Sequence, residues 1–297
     1  MEYIKVKSII SSYEENNPWF GTNYKMNIYR GCCHKCIYCD SRSSCYQIID
    51  FDKVRAKGNS TEIIKRELKS KRKKGIVDIG AMSDPYNPFE LKLNLTREAL
   101  KEINNSRFGI SLATKSNLVT RDIDILKKIQ EHSPVLIKMT ITTYDDELCK
   151  QIEQRVCVSS KRFEAIKQLS DNGIFVGILL MPILPFINDS VDNIKNIVKK
   201  AYDCGAKFIF TYGMGVTLRN NQREYYYQQL NNIFHKNTLV DKYIKTYKEN
   251  YECSSPNSKT LWKVFVLECE RYNILYKMED IISAYKSKYE NCQINWF

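Results

Sequence analysis

Six short apolar runs punctuate the first two thirds of the chain: Met26 to Tyr29, Ile76 to Gly80, Phe108 to Thr114, Val135 to Thr142, Ile174 to Met181 and Phe208 to Tyr212. Their length and β-branched content predict buried strands. Between them lie stretches that read as helices. One starts at Asn59-x-x-Glu62, a capping-box-like signal, and runs to about Lys74, where Gly75 ends it. Others run from about Thr96 to Asn105, from Arg121 to Glu131, from a Ser160 cap to Gly173, and from Ser190 to Gly205. After the fifth run, Pro182 and Pro185 force the chain out of the sheet, because proline donates no ladder hydrogen bond.

Strand and helix thus alternate about six times, which calls for a parallel sheet with helices outside it. A closed or partly closed barrel fits better than a dinucleotide-binding sheet, since no G-x-G-x-x-G follows the first strand. Residues 1–25 form a polar, turn-rich lead-in and residues 26–217 the barrel. Residues 218–297 are Tyr- and Lys-rich and read as a helical extension over the open side.

Composition narrows the setting. With 43% hydrophobic and 27% charged residues the chain reads as soluble and globular. It has no apolar run near the roughly 18 residues of a membrane span and no signal-peptide h-region. Eleven cysteines, an odd number, fit a reducing cytoplasm in which some thiols hold metal. A net charge of +12 favours polyanionic partners such as DNA or RNA. Part of that charge sits in the run from Lys65 to Lys74, which also reads as the solvated face of an outer helix.

The chemistry centres on the loop after the first strand, Tyr29-Arg30-Gly31-Cys32-Cys33-His34-Lys35-Cys36-Ile37-Tyr38-Cys39-Asp40. Cys32, Cys36 and Cys39 stand at the spacing C-x3-C-x2-C. Three thiolates can hold three irons of a cubic [4Fe-4S] cluster and leave the fourth open. A zinc knuckle is the rival reading, with Cys33, His34 or Cys45 as fourth ligand.

This motif, with an aromatic residue before its last cysteine, resembles that of the radical S-adenosylmethionine (SAM) superfamily. The resemblance implies a partial (β/α)6 TIM-like barrel in which the open iron binds SAM. It also implies reductive cleavage of SAM to a 5'-deoxyadenosyl radical, and an external electron donor such as flavodoxin or ferredoxin. Tyr38 would pack near the adenine. Active sites of parallel barrels form at the C-terminal strand ends, and polar residues recur there. Lys115 could pair with the SAM carboxylate, Ser83 or Asp84 could accept from its ammonium, and Thr142 could bond its ribose or carboxylate. Arg162 is a further anion-binding candidate, unless it is a surface helix charge.

Within the superfamily the chain looks most like the spore photoproduct lyase group. Tyr29-Arg30-Gly31-Cys32, Ile37-Tyr38-Cys39-Asp40, Ser83-Asp84-Pro85, Thr114-Lys115-Ser116 and Leu180-Met181-Pro182-Ile183-Leu184-Pro185 carry the likeness. The group's founding enzyme repairs a thymine lesion in DNA. Its SAM contacts correspond to Ser83, Asp84, Lys115 and Thr142. Two positions depart from it. Gly80-Ala81-Met82-Ser83 lacks the lyase's hydrogen-donor cysteine, and Asp40 replaces a tyrosine. Cys149, Cys157, Cys204, Cys253, Cys269 or Cys292 could donate hydrogen only if the fold brings one to the barrel mouth. Tyr212, Tyr225, Tyr226 and Tyr227 are candidate radical relays. The expectation is a radical SAM enzyme acting on nucleic acid, in lesion repair or in base or sugar modification. A peptide, protein or small-molecule substrate, or a non-enzymatic metal module that binds nucleic acid, remain open.

Overall fold

The computed structural model describes residues 1–13, 19–234 and 237–290. Cys292 lies outside the described residues. Six parallel strands stand side by side in chain order: Tyr24–Met26, Ile76–Ile79, Gly109–Thr114, Val135–Thr140, Val176–Leu179 and Ile209–Phe210. A seventh, Ile10–Ser12, runs antiparallel along the free edge of the first. The sixth strand does not pair back to this edge, so the six-unit barrel is partial, as expected.

Side chains alternate across each strand, and the two faces bury different partners. Outward residues such as Ile79, Leu112, Ile137 and Ile178 share one core with helix residues Leu100, Leu126, Ile166 and Val198. Inward residues Ile76, Leu136, Leu179, Phe208 and Phe210 form a second core with Phe20, Ile281 and Tyr285. The open edge is therefore plugged by the lead-in and by the helix Met278–Glu290. Tyr285 Oη donates to the Phe20 carbonyl at 2.5 Å, and Phe20 packs against Phe208 and Phe210. Among the described residues, no helix is long and apolar enough to cross a membrane.

Several boundaries move from the sequence expectation. The first barrel strand lies at Tyr24–Met26, and Tyr29–Arg30 leaves it to pair with Arg55–Lys57 in a small separate sheet. The first helix spans Ser60–Ser70 and stops short of Lys74, because nothing from Lys69 to Lys74 offers an apolar side chain to bury. Asn59 adopts left-handed backbone there and makes no side-chain cap. The fourth outer helix is Ser159–Asp171, with Val158 at its cap; Ser160 instead bonds the Asp146 carboxylate. Ser190 does cap the next helix, accepting from Asn193 N.

Inside the barrel, Lys138 Nζ lies 2.6 Å from Asp78 Oδ1, and both side chains are buried. Ser111 and Tyr13 hydroxyls also donate to that carboxylate. Two charges taken out of water are tolerable only as such a satisfied pair. Lys138→Met will strand the Asp78 carboxylate and cost about 3–5 kcal/mol. Adding Asp78→Leu should return much of the loss, as read from urea denaturation midpoints.

Candidate active site

The cysteine loop is shaped by turns that its sequence permits. Gly31 has φ +80°, and a side-chain carbon there would come within 2.6 Å of the Lys53 carbonyl, so only glycine fits. Cys32 N then donates to Phe51 O, Ile37 N to Ile152 O, and Arg155 N to His34 O. The loop is thus seated between residues 51–53 and the segment after the fourth strand.

The thiols divide into two sets. Cys32, Cys36 and Cys39 feel one another's charge, whereas Cys33 packs against the outer core. Burial, followed by the Asp84 charge, pushes the Cys32 thiol up to about 12, and burial raises Cys36 and Cys39 as well. Thiolates so placed need a cation to hold them, which metal coordination supplies. The fourth ligands that a zinc knuckle would need are engaged elsewhere. His34 Nδ1 lies 3.5 Å from Asp84 Oδ2, and Cys45 is exposed beside Ser43 Oγ. Among the described residues no three His, Cys, Asp or Glu gather to hold a single ion. A cubane asks for something different, one thiolate on each of three irons.

A buried relay fixes Tyr38. Its hydroxyl donates to Glu153 Oε1, and Glu153 Oε2 pairs with Arg162 Nη1 at 2.5 Å. Burial alone would raise the Glu153 carboxyl; the Arg162 and Lys115 cations and the Tyr38 hydroxyl hold it below the usual carboxylate range. Arg162 is therefore neither a free anion site nor a surface charge. It is fully buried, and it also donates to the Thr140 and Cys157 carbonyls. Sequence reasoning missed Glu153 altogether, since nothing in its neighbourhood distinguishes it from other acidic residues.

The second to fourth strand ends meet this loop. Gly80, at φ +100°, turns the second strand past the Ala113 carbonyl, which a side-chain carbon would meet at 2.0 Å. Ser83 Oγ donates to Tyr29 O, so it ties the two loops together. Asp84 accepts from Tyr86 N, Thr114 Oγ1 and Lys115 N, and its Oδ2 also lies 3.5 Å from His34 Nδ1. Lys115 Nζ stands 5.8 Å from the Tyr38 ring centroid and has no acceptor among the described residues. Burial opposes its charge, but Cys36 and Glu153 more than offset this and keep it cationic. The Thr142 hydroxyl is buried with no partner, while Asn188 and Asn193 hold the Thr142 carbonyl. A buried orphan hydroxyl and an unanswered ammonium suit a ligand carrying a carboxylate and a ribose. The residues present therefore fit SAM.

Of the candidate hydrogen donors among the described residues, only Cys157 reaches the rim, and its thiol donates to the Lys115 carbonyl at 3.1 Å. Cys149 lies beneath Glu153, Cys204 and Cys269 are buried at or in helices, and Cys253 is buried in the strand Glu252–Ser254. Tyr226 is buried against Tyr243 in the extension. Tyr212 stands exposed at the end of the sixth strand.

The extension grips the cluster loop at three points. Gln222 Nε2, fully buried, donates to Tyr38 O at 2.9 Å and to Thr217 O. Arg219 Nε pairs with Asp40 Oδ1 at 2.9 Å, and Tyr46 Oη donates to the other Asp40 oxygen. The Arg42 guanidinium lies 3.8 Å from the Tyr225 ring centroid and 4.9 Å from that of Phe51. Gln222→Ala will leave the buried Tyr38 carbonyl unpaired, costing about 1–3 kcal/mol, and should speed chelator-driven loss of iron from reconstituted protein. Arg219→Ala breaks a half-exposed pair with Asp40 and an exposed contact with Tyr251, and should cost about 1 kcal/mol.

Comparison with known proteins agrees with this geometry. The profile of the radical SAM superfamily matches residues 26–201. Uncharacterized protein MJ0683 of Methanocaldococcus jannaschii is 30% identical over 90% of this chain and 92% of its own length. Spore photoproduct lyase complexed with dinucleoside spore photoproduct superposes with a TM-score of 0.64 at 13% identity, covering 89% of this chain and 76% of that one. A lyase variant with bound AdoMet and the same dinucleoside gives 0.62 at 13% identity, over 84% of this chain and 74% of that one. The barrel, its cysteine loop and these matches together make the chain a member of the radical SAM superfamily, whose enzymes use a [4Fe-4S] cluster and SAM.

Proposed function

We propose that this enzyme acts on nucleic acid, by lesion repair or by base or sugar modification. Cys32, Cys36 and Cys39 hold the cluster, and Lys115, Asp84 and Thr142 receive the carboxylate, ammonium and ribose of SAM, with Tyr38 beside the adenine. The observation that carries the site is the partnerless Thr142 hydroxyl on the same rim as the partnerless Lys115 ammonium. When bound and reduced, the cluster supplies the electron that cleaves SAM to a 5'-deoxyadenosyl radical. The electron comes from an external donor such as flavodoxin or ferredoxin.

The nucleic-acid substrate is supported by the net charge of +12 and by the fold shared with a lesion-bound lyase. The lyase reaction itself is not the one assigned. Ala81 and Met82 stand where a thiol donor would, and Asp40 is occupied by Arg219 and Tyr46.

Anaerobic reconstitution followed by SAM, dithionite and single- or double-stranded DNA or RNA tests this. At least one nucleic acid should raise 5'-deoxyadenosine severalfold or change mass itself. Cys32→Ala, Cys36→Ala and Cys39→Ala should each abolish iron, sulfide and SAM cleavage together, and Cys33→Ala should spare them. Stimulation by a peptide and by no nucleic acid would overturn the substrate class. Loss of the cluster in Cys33→Ala would overturn the ligand set.

A further inference from the structure

The inward-facing side chains rise in rings toward the mouth. Thr140 of the fourth strand pairs in register with Leu179 of the fifth, and Leu179 with Phe210 of the sixth. Continuing the alternation of side chains two residues past the strand ends brings the chain to Thr142, Met181 and Tyr212. Thr142 carries the partnerless hydroxyl. Tyr212 is an aromatic ring clamped from behind. Trp19 stacks on it at 5.6 Å and 14°, and Phe210 meets it edge-on at 5.2 Å and 77°.

Held this way, Tyr212 still leaves 73% of its surface open, and its hydroxyl has no partner among the described residues. The space beside it is free as well: a side-chain carbon on Gly213 would meet nothing within 4 Å. A fixed ring with an open face and an idle hydroxyl is a surface for stacking. Neighbouring strands lie about 4.8 Å apart, so the sixth and fourth strands, just beyond whose ends Tyr212 and Thr142 stand, run roughly 10 Å apart. One substrate can rest on the first and reach a cofactor beside the second.

We propose that Tyr212, backed by Trp19, is the stacking platform for an unpaired nucleobase of the substrate. This rests on the nucleic-acid reading above. A tyrosine face also takes cations, but a chain of net charge +12 repels a cationic peptide and draws a polyanion. Every base has a π-face, so the platform holds the strand without reading its sequence.

The test uses the reconstituted full chain with SAM bound and a fluorescein-labelled oligothymidylate, with oligouridylate as a second probe. Anisotropy titrations at several salt concentrations give affinity and salt slope. Tyr212→Ala should weaken binding roughly tenfold or more. Tyr212→Phe should stay within about twofold of wild type, because it keeps the ring. The salt slope should not change, since no phosphate contact is removed, and SAM affinity should hold. Wild-type affinity in Tyr212→Ala would sink the platform and leave the nucleic-acid reading standing. An equal loss in Tyr212→Phe would transfer the role to the hydroxyl and sink stacking. Failure of wild type to bind either probe at low salt would remove both.

Discussion

The buried ion pair between Glu153 and Arg162 is the contact on which the site's geometry depends. Arg162 comes from the fourth outer helix and reaches through the wall to the Thr140 carbonyl at the top of the fourth strand. Glu153 follows the short helix Asp146–Ile152 and accepts the Tyr38 hydroxyl. One pair thus joins the outer layer, the sheet and the cysteine loop. A buried pair is worth keeping only when its remaining donors and acceptors are also answered. Here they are: Cys149 and Tyr38 serve the carboxylate, and two backbone carbonyls serve the guanidinium. The same carboxylate helps keep Lys115 charged. The group that orients the aromatic residue of the cysteine motif therefore also prepares the cation for an anionic ligand.

This arrangement divides what could be read from the chain. The strands were legible because a strand buried on both faces reads as a largely apolar, β-branched run, as Val176 to Leu179 does and as Val135 to Thr140 does apart from Lys138. The cysteine loop was legible because its chemistry needs fixed spacing. Arg162 was visible as a charge but not as a buried one, since its partner lies nine residues back across a loop whose path no local pattern dictates. Gln222 was invisible for the same reason: 184 residues separate it from the Tyr38 carbonyl it serves. Helix ends moved where a residue had two possible partners. Ser160 is a good cap by type, yet Asp146 takes both its amide and its hydroxyl.

Asp40 shows how a departure from a related pattern can acquire a structural purpose. With Arg219 and Tyr46 on its two oxygens, and Arg42 held two residues on between Tyr225 and Phe51, the end of the cysteine motif is bound to the extension. The half-exposed pair contributes little by itself. The buried Gln222 amide contributes more, because the Tyr38 carbonyl it satisfies is buried away from water. The extension thus completes the wall around the motif as well as covering the open side of the barrel.

The placement of charge completes the reasoning about substrate. Lys71 to Lys74, the densest basic run, lead into the foot of the second strand, at the end of the barrel away from the cysteine loop. That strand has four residues and spans roughly 13 Å, more than one Debye length at physiological salt, where the screening distance is about 8 Å. Those lysines can draw a polyanion toward the protein but cannot hold it at the mouth. For the proposed substrate, registration there rests on short-range contacts at the mouth itself. On the proposed reading, the clamped face of Tyr212 at the sixth-strand end supplies such a contact, through dispersion and stacking rather than salt-dependent attraction.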